Sequence, residues 1–243
     1  MKTVIIVQAR MTSTRLPGKV LKEVLGKPLL AYQLERLRRV QLADEIVLAT
    51  TTNQTDDVLA AFAAKEEIRC YRGDEQDVLD RYYQAAVMAE ADVVVRVTSD
   101  CPLIEPSIID EVIQAYNKST EVDYVSNTLS RTYPRGLDVE CFSFKALEIA
   151  WKNADKAYER EHVTPYLYQQ PMFIKKELKA DGDYSQYRWT VDTQEDYELV
   201  RLLLEELYLI QPYFSWRDVL SVLERHPEWK LINAEIEQKK LEE

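Results

Sequence analysis

Short runs of β-branched residues alternate with amphipathic helical patterns through the first half of the chain. Strands are predicted at residues 3–8, 45–50, 68–71 and 91–97. Apolar residues three or four positions apart predict helices around residues 30–37 and 58–62 and at 74–90 and 106–117. Strands joined by a helix pair in parallel, because the helix carries the chain back to the same end of the sheet. The alternation therefore predicts an α/β fold with a mostly parallel central sheet.

The pattern changes after residue 120. Short strands are predicted at 123–126, 137–144 and 187–191, the last returning the chain to the sheet, and helices at 194–208 and 214–225. We expect a single domain over residues 1–243, with an irregular β-rich extension at 120–180 and a helical C-terminal tail at 210–243. The charged segment 235–243 is predicted to be frayed, as chain ends usually are.

Charge and cysteine content restrict the classes of partner. The 243 residues include 42 acidic and 31 basic ones, for a net charge of −11, which disfavours general binding to nucleic acid or to an anionic membrane. No apolar run has the length of a membrane span or follows the pattern of a signal peptide. Three cysteines without metal-ligand spacing are typical of reduced thiols, so a cytoplasmic location is predicted.

The first predicted strand runs directly into a turn rich in hydroxyl and cationic side chains. Arg10, Arg15 and Lys19 are spaced along this turn, which contains the corner Pro17-Gly18. Backbone N–H groups and cations that converge on one small volume are suited to the phosphates of a nucleotide. The spacing matches neither a Walker A loop nor a dinucleotide-binding turn. The alternative to phosphate binding is that these residues are ordinary solvent-exposed surface cations. For Arg10, an ion pair with a nearby carboxylate is a second alternative.

Four segments carry a family resemblance in the same order along the chain. They are residues 9–19 (ARMTSTRLPGK) with 25–29 (LGKPL), 98–104 (TSDCPLI), 159–165 (EREHVTP) and 190–198 (TVDTQEDYE). The chain resembles the cytidylyltransferases that activate sugar acids, and most of all their spore coat polysaccharide biosynthesis branch, which is related to the 3-deoxy-manno-octulosonate and N-acylneuraminate enzymes. The resemblance implies a three-layer α/β/α nucleotide-diphosphosugar transferase-like fold. It also implies transfer of CMP from CTP to an acidic sugar with release of pyrophosphate.

The resemblance further implies roles for individual residues. Arg15, Lys19 and Asp100 would be catalytic, with Arg15 and Lys19 on the β- and γ-phosphates. Nucleotide binding is expected from Gln8, Ala9, Arg10, Ser13, Arg15, Lys19, Arg72, Gly73 and Asp77. Sugar binding is expected from Arg135, Arg160 and His162, with a structural role at a helix start as the alternative for His162.

Two aspartates at predicted strand ends are candidate magnesium ligands. Asp100 follows the strand at 91–97, and Asp192 follows the strand at 187–191. Carboxylates at the carboxyl ends of two strands supply the oxygen ligands that Mg²⁺ prefers. Turn capping is the alternative for Asp100. A capping box at 193–196 accounts for the presence of Thr193 and Asp196, but it gives no role to Asp192.

Several arginines in the second half of the chain are candidates for binding the acceptor sugar. A sugar carboxylate needs a cation, and Arg131, Arg135, Arg160 and Arg188 are available. We favour Arg135, which follows Pro134 in a loop, over Arg188, which has the alternative of pairing with a buried acid.

A homodimer is expected as well, because residues 120–180 contain more aromatic side chains than a small extension is expected to cover. The aromatic residues are Tyr124, Tyr133, Phe142, Phe144, Tyr166, Tyr168 and Phe173.

Two other functions remain open at the level of sequence. One is a glycosyltransferase of the related fold that uses a nucleotide-sugar donor, for which a D-x-D metal motif would be typical. The other is a non-catalytic nucleotide-binding subunit, which would be expected to lose a phosphate cation or a metal ligand. Residues 99–101 do not form a D-x-D motif, and the cations and aspartates are all present.

Overall fold

The computed structural model describes residues 1–238 and contains one large mixed sheet and one small hairpin. The strands are β1 (Thr3–Gln8), β2 (Glu23–Val24), β3 (Lys27–Pro28), β4 (Glu45–Thr51), β5 (Arg69–Gly73), β6 (Val93–Thr98), β7 (Tyr124–Ser126), β8 (Glu140–Ser143) and β9 (Lys175–Glu177). The helices are α1 (Leu29–Leu37), α2 (Asp57–Lys65), α3 (Val78–Met88), α4 (Pro106–Asn117), α5 (Phe144–Asn153), α6 (Ala157–His162), α7 (Pro165–Gln169), α8 (Gln194–Leu207) and α9 (Trp216–Arg225). Short 3₁₀ turns lie at Lys19–Leu21, Gln54–Asp56 and Pro227–Leu231.

The seven strands of the large sheet follow the order β5-β4-β1-β6-β8-β7-β9. The first four pair in parallel, as the strand–helix alternation predicts. Strand β8 is antiparallel to both β6 and β7, and β9 is parallel to β7. The chain moves from β1 outward through β4 and β5 and then returns to the other side of β1 at β6. The gap between the carboxyl ends of β1 and β6 is therefore a topological switch point, where open α/β sheets bind ligands.

Helices cover both faces of the sheet. Strand β1 is therefore buried on both sides, and it is apolar at every position from 4 to 7. Ile5 and Val7 pack in one cluster with residues of α1, α4, α8 and α9. Val4 and Ile6 point to the opposite face and pack with residues of α3 and α5. A strand that is buried on both faces reads as a continuous apolar run. The predicted three-layer α/β/α fold is confirmed.

The extension at 120–180 contributes to the main sheet. Its strands β7, β8 and β9 continue the sheet beyond β6, and α5, α6 and α7 lie between β8 and β9. Four of its seven aromatic side chains, Tyr124, Tyr133, Phe142 and Phe173, are buried within the chain itself. The prediction that the extension has more aromatic surface than it can cover is therefore wrong for these four side chains, because the sheet and helices of the same chain bury them. The homodimer stays a prediction, and light scattering decides it.

The predicted strand at 187–191 is also wrong. This segment forms one isolated parallel bridge, between Arg135 and Arg188. Trp189 donates its N–H to the Arg135 carbonyl at 2.7 Å, and Val191 donates to the Asp100 carbonyl at 2.8 Å. The backbone thus bonds to two different loops in succession, so no regular ladder forms. It still delivers the segment to the switch point, with Asp192 at its end.

The end of the described chain is packed against the domain. Asn233 donates from Nδ2 to the Arg188 carbonyl at 3.0 Å, and Gln238 accepts from Arg188 Nη1 at 2.8 Å. Within the segment 235–243 that is predicted to be frayed, Ile236 and Gln238 each form a hydrogen bond to the preceding chain, and residues 239–243 lie outside the described ones. Within residues 1–238, no helix has both the length and the apolarity to cross a membrane.

Gly136 holds the loop 132–136 against the segment that leads to Asp192. Its φ is +104°, and a Cβ there would lie 2.7 Å from the Trp189 carbonyl carbon and from the Thr190 nitrogen. We expect Gly136→Ala to lower the free energy of unfolding by at least about 3 kcal/mol, because strain and a backbone clash add. Urea unfolding measures this change.

Gly26→Ala is the matched control. Gly26 has a φ of +72° and no atom within 4 Å of the position of a Cβ. Gly26→Ala should lower the free energy of unfolding by about 1 kcal/mol, because only the unfavourable backbone conformation contributes and there is no clash. Equal losses at the two glycines would show that the close approach at Gly136 is unimportant.

Candidate active site

A cleft of about 340 Å³ opens at the switch point between β1 and β6. It is lined by the loop that follows β1, by the ends of β1 and β6, by α3, and by four later segments at residues 135–138, 161–162, 190–192 and 238. Ten of the residues that the sequence indicated line this cleft. They are Gln8, Ala9, Arg10, Ser13, Arg15, Lys19, Asp100, Arg135, His162 and Asp192.

Asp56 holds the start of the loop after β1. Its carboxylate accepts hydrogen bonds from the Met11 N–H at 2.9 Å, from Thr50 Oγ1 at 3.1 Å and from Thr51 Oγ1 at 2.6 Å. Asp56 is fully buried, so these donors replace the water that the carboxylate loses. Asp56 stands at the N-cap position of α2, but its side chain anchors the loop after β1 and forms no capping hydrogen bond to the helix.

The end of the loop is closed by Gly18. Its N–H donates to the Met11 carbonyl at 2.9 Å, and its φ is +68°, a backbone conformation that favours glycine. The 3₁₀ turn Lys19–Leu21 follows at once and directs the Lys19 side chain into the cleft. The Pro17-Gly18 corner therefore does what the sequence predicts and places a cation at the carboxyl end of β1.

Lys19 lies between the two predicted metal ligands. Its Nζ is 2.6 Å from Asp192 Oδ1 and 3.1 Å from Asp100 Oδ2. The Lys19 and Asp192 side chains are 11% and 12% exposed, and that of Asp100 is 22% exposed. Three segments that are far apart in sequence thus converge on one ammonium group.

Asp192 belongs to a larger balanced set of charges. Arg15 Nη2 lies 2.8 Å from Asp192 Oδ2, and Arg188 Nη2 lies 2.9 Å from the same oxygen. Arg188 also donates from Nε to the fully buried Asp196 at 2.9 Å. The pairing of Arg188 with a buried acid, which the sequence left as an alternative, is what the structure contains. We call Arg15, Lys19, Arg188, Asp100, Asp192 and Asp196 the charge cluster.

The pKa values of the cluster reflect this pairing. Burial favours the neutral form of Lys19, but the charges of Asp100 and Asp192 outweigh it and raise the pKa of Lys19. Burial would likewise raise the pKa of Asp100. The charge of Lys19 and hydrogen bonds from Thr98, Lys19 and Cys101 outweigh it, so the pKa of Asp100 is held well below its usual range. Both groups are therefore charged at neutral pH.

Four of the predicted site residues do not line the cleft. Arg72 donates to the carbonyls of Thr51 and Asn53 at 2.8 and 2.9 Å, which holds the loop after β4. Gly73 lies against Arg81, whose Cγ would be 2.8 Å from a Cβ.

The other two residues bind each other. Arg160 Nε donates to the Asp77 carboxylate at 3.0 and 3.2 Å, which ties α6 to the first turn of α3. Asp77 also accepts from the Asp80 N–H at 2.9 Å as the N-cap of α3. Each of these two side chains thus has a partner within the protein.

Two of the cations on the list of candidates are paired. Arg10 Nη1 lies 3.5 Å from Glu75 Oε1, which is the alternative partner that the sequence left open. Arg131 forms a bidentate pair with Asp138, at 2.6 and 2.8 Å. Together with the pairs of Arg160 and Arg188, this leaves Arg135 without a carboxylate within 4 Å among residues 1–238.

Sequence reasoning missed several buried polar residues of the cleft. Arg81 and Arg96 both line it, and Arg81 is only 1% exposed. Arg81 donates from Nη1 to the Asp74 carbonyl at 2.8 Å, and Arg96 pairs with Glu140. An arginine in the middle of the apolar strand at 91–97 was the one available signal, since charged residues are rarely buried without a partner.

The comparison with protein families agrees with this geometry. A family model for cytidylyltransferases matches residues 4–233. The chain belongs to the cytidylyltransferase family.

Two relatives match over nearly their whole length. An uncharacterised protein of Methanocaldococcus jannaschii is 37% identical over 250 residues, which cover 100% of this chain and 99% of that protein. The spore coat polysaccharide biosynthesis protein SpsF of Bacillus subtilis is 34% identical over 232 residues, which cover 92% of this chain and 94% of that protein.

Solved structures show the same fold. A cytidylyltransferase from Leptospira borgpetersenii serovar Hardjo-bovis superposes with a TM-score of 0.90 at 33% identity, covering 99% of this chain and 100% of that one. A CMP:2-keto-3-deoxy-manno-octonic acid synthetase complexed with CTP superposes with a TM-score of 0.65 at 21% identity, covering 85% of this chain and 100% of that one. At that identity the second likeness concerns the fold alone.

The low pKa of Asp100 predicts a pH dependence of stability. In the unfolded chain its pKa is about 3.9, so the ionised native carboxylate stabilises the fold above that pH and loses its contribution as the pH falls. We expect Asp100→Asn to lower the free energy of unfolding by about 2 kcal/mol at pH 7, since it removes a hydrogen-bonded charge from the cluster.

Urea unfolding at pH 7, 5 and 3.5 measures the difference between the wild type and this variant. The difference should shrink toward pH 3.5. Asp155→Asn is the control, because Asp155 is exposed and has no hydrogen bond to another residue in the described part of the chain. If the difference in the free energy of unfolding between the wild type and Asp100→Asn is the same at all three pH values, the prediction is wrong.

Proposed function

We propose that this cytidylyltransferase transfers CMP from CTP to an acidic sugar and releases pyrophosphate. The observation that carries the proposal is the charge cluster at the switch point. It combines two cations from the loop after β1, Arg15 and Lys19, with two carboxylates from separate segments, Asp100 and Asp192. This combination can hold a triphosphate and a hard metal ion side by side.

The reaction requires a sugar hydroxyl to attack the α-phosphorus opposite the departing pyrophosphate. Such transfers depend on alignment and on neutralisation of the charge that builds up on the leaving group. Arg15 and Lys19 would bind the β- and γ-phosphates and stabilise the pyrophosphate as it leaves. Both side chains line the cleft, and Arg15 is 36% exposed and therefore accessible to a ligand.

The carboxylates of Asp100 and Asp192 suit magnesium. Both bind the same ammonium group, so their oxygens already converge on one positive centre. Among residues 1–238, no group of three or more His, Cys, Asp and Glu side chains is arranged to hold a metal ion. We infer that Asp100 and Asp192 would hold Mg²⁺ together with phosphate oxygens and water, which is its usual coordination in nucleotide sites. Bound Mg²⁺ supplies charge neutralisation at the α-phosphate.

We assign recognition of the acidic sugar to Arg135 and His162, which both line the cleft. Burial and the neighbouring charge of Arg131 lower the pKa of Arg135, because both disfavour its charged form. No carboxylate of residues 1–238 lies within 4 Å of this guanidinium, so an anion that reaches it would meet a positive charge without a partner. A carboxylate can accept two parallel hydrogen bonds from arginine. The names of the relatives support a sugar acceptor, since one is a spore coat polysaccharide biosynthesis protein and another a 3-deoxy-manno-octulosonate cytidylyltransferase.

Pyrophosphate release tests the reaction. With Mg²⁺ and a panel of 3-deoxy-manno-octulosonate and N-acetylneuraminate, we expect release from CTP and far less from ATP, GTP or dTTP. Asp100→Asn should reduce turnover by about a hundredfold or more, the scale on which a preorganised charge-stabilising group acts.

The control is again Asp155→Asn, which should retain wild-type turnover. Equal release from GTP or dTTP would contradict the choice of CTP. Transfer of a sugar from a nucleotide-sugar donor would favour the glycosyltransferase, and nucleotide binding without turnover would favour the non-catalytic subunit.

Arg135 is tested by comparing two arginine variants. Arg135→Ala should raise the KM for the sugar about tenfold or more and leave the KM for CTP nearly unchanged, because it removes a charge-assisted hydrogen bond to the acceptor. Arg160→Ala should instead lower the free energy of unfolding, since Arg160 joins α6 to α3 through Asp77. A CTP-specific effect of Arg135→Ala, or no effect on either KM, would remove Arg135 from the sugar site.

A further inference from the structure

Gln8 ends β1 with its side chain on the sheet face that α3 and α5 cover. Val4 and Ile6, two and four positions earlier, pack in the cluster on that face. On the neighbouring strand β6, Arg96 and Thr98 share the face with Val94. Gln8, Arg96 and Thr98 all line the cleft. The face therefore presents polar groups to the cleft where its apolar part ends.

A buried chain of hydrogen bonds leads to Gln8 from the far side of the sheet. Tyr124 on β7 donates its hydroxyl to Glu140 Oε1, and Arg96 Nη1 pairs with Glu140 Oε2. Arg96 Nη2 then donates to Gln8 Oε1 at 3.2 Å. The side chains of Arg96 and Glu140 are only 15% and 7% exposed. We call Tyr124, Glu140 and Arg96 the Arg96 relay.

The relay decides which way the Gln8 carboxamide faces. Arginine has only donors, so the Gln8 atom that it binds must be the oxygen. The NH₂ group of Gln8 is then directed away from Arg96. Within residues 1–238, it donates to no other residue of the protein. Gln8 thus presents a fixed donor to whatever occupies this part of the cleft.

Strand pairing alone explains only part of this arrangement. Arg96 and Glu140 are direct neighbours across β6 and β8, where opposite charges stabilise a sheet. Two well-packed apolar side chains could pair there without the desolvation of two charges. The bond from Arg96 to Gln8 adds nothing to the pairing of β6 with β8, but it orients a cleft residue.

The relay is also neutral, because Glu140 balances the charge of Arg96. A neutral amide donor beside a balanced ion pair suits an uncharged acceptor oxygen better than a carboxylate, for which Arg135 offers a full charge. We propose that Gln8 is a specificity-determining residue of the acceptor site and that its NH₂ group binds a hydroxyl or carbonyl oxygen of the sugar. Arg96 is its positioning residue.

The family resemblance implies nucleotide binding by Gln8, but the position of the Arg96 relay in the sheet favours the sugar. Arg96 reaches Gln8 from the β6–β8 side, and the segment between β7 and β8 on that side carries Arg135 and Asp138. The cations assigned to the phosphates lie in the loop after β1 instead. This inference rests on the proposed function.

The test separates the KM for the sugar from the KM for CTP. Gln8→Glu keeps an acceptor oxygen for Arg96 and removes the donor, and Gln8→Met removes both. With the acid of the panel that releases pyrophosphate fastest, each should raise the KM for the sugar about tenfold or more, with the KM for CTP changed less than twofold. Gln114→Glu is the matched control, because Gln114 is exposed on α4 and accepts from Lys118 at 3.0 Å.

Arg96→Lys tests the relay. Lysine keeps a charge beside Glu140 but lacks the fork that binds Glu140 and Gln8 together. It should raise the KM for the sugar in the same direction as Gln8→Met, whereas a purely structural role would lower stability and leave the ratio of the two KM values unchanged. Urea unfolding of each variant accompanies the kinetics.

The outcomes distinguish this inference from the proposed function. If no acid of the panel releases pyrophosphate with the wild type, the proposed function and the inference both fail. If the wild type is active and the Gln8 variants leave the KM for the sugar unchanged, or raise the KM for CTP instead, only the inference fails. Equal effects of Gln114→Glu and Gln8→Glu would also overturn it, since the added charge alone would then explain the result.

Discussion

The placement of Lys19 between Asp100 and Asp192 is the interaction on which the site depends. It joins the loop after β1, the end of β6 and the segment before α8 at one ammonium group. Buried ions are stable only when each has a partner of opposite charge. The charge cluster meets this condition with three cations and three carboxylates, so the cleft is shaped by charge balance as much as by apolar packing.

Under the proposed function, the same balance would make the cluster responsive to ligands. Arg15 and Lys19 are paired with the aspartates in the free protein, and a triphosphate would bring negative charge that competes for both cations. A divalent cation would replace the positive charge that the aspartates then lose. Arg188 is different, because besides Asp192 it binds Asp196, and Asn233 donates both to Asp196 and to the Arg188 carbonyl; neither Asp196 nor Asn233 is among the groups proposed to bind a ligand. Part of the cluster can therefore exchange partners while the rest holds Asp192 in place.

Loops around the cleft are held by buried polar groups instead of by regular structure. Asp56 anchors the loop after β1, and the close approach of Gly136 to the backbone of residues 189 and 190 holds the segment that ends at Asp192. The Arg96 relay does the same for the side chain of Gln8. The hydrogen bonds to Asp56 and from Arg96 satisfy polar atoms that water cannot reach, and this requirement makes the positions of the groups that they hold specific.

The sequence by itself determined the parallel half of the sheet and the location of the site. Apolar runs that alternate with helical periodicity are local signals, and they locate the loops that follow the strands, which contain Arg15, Lys19 and Asp100. Only the tertiary structure decided that residues 187–191 form a bridge, that the aromatic side chains of the extension are internal, and that Arg160 binds Asp77. It also decided the orientation of Gln8. The physical reason is that these features depend on partners dozens of residues away, and local sequence patterns carry no information about which distant group will neutralise a buried charge or accept a buried hydrogen bond.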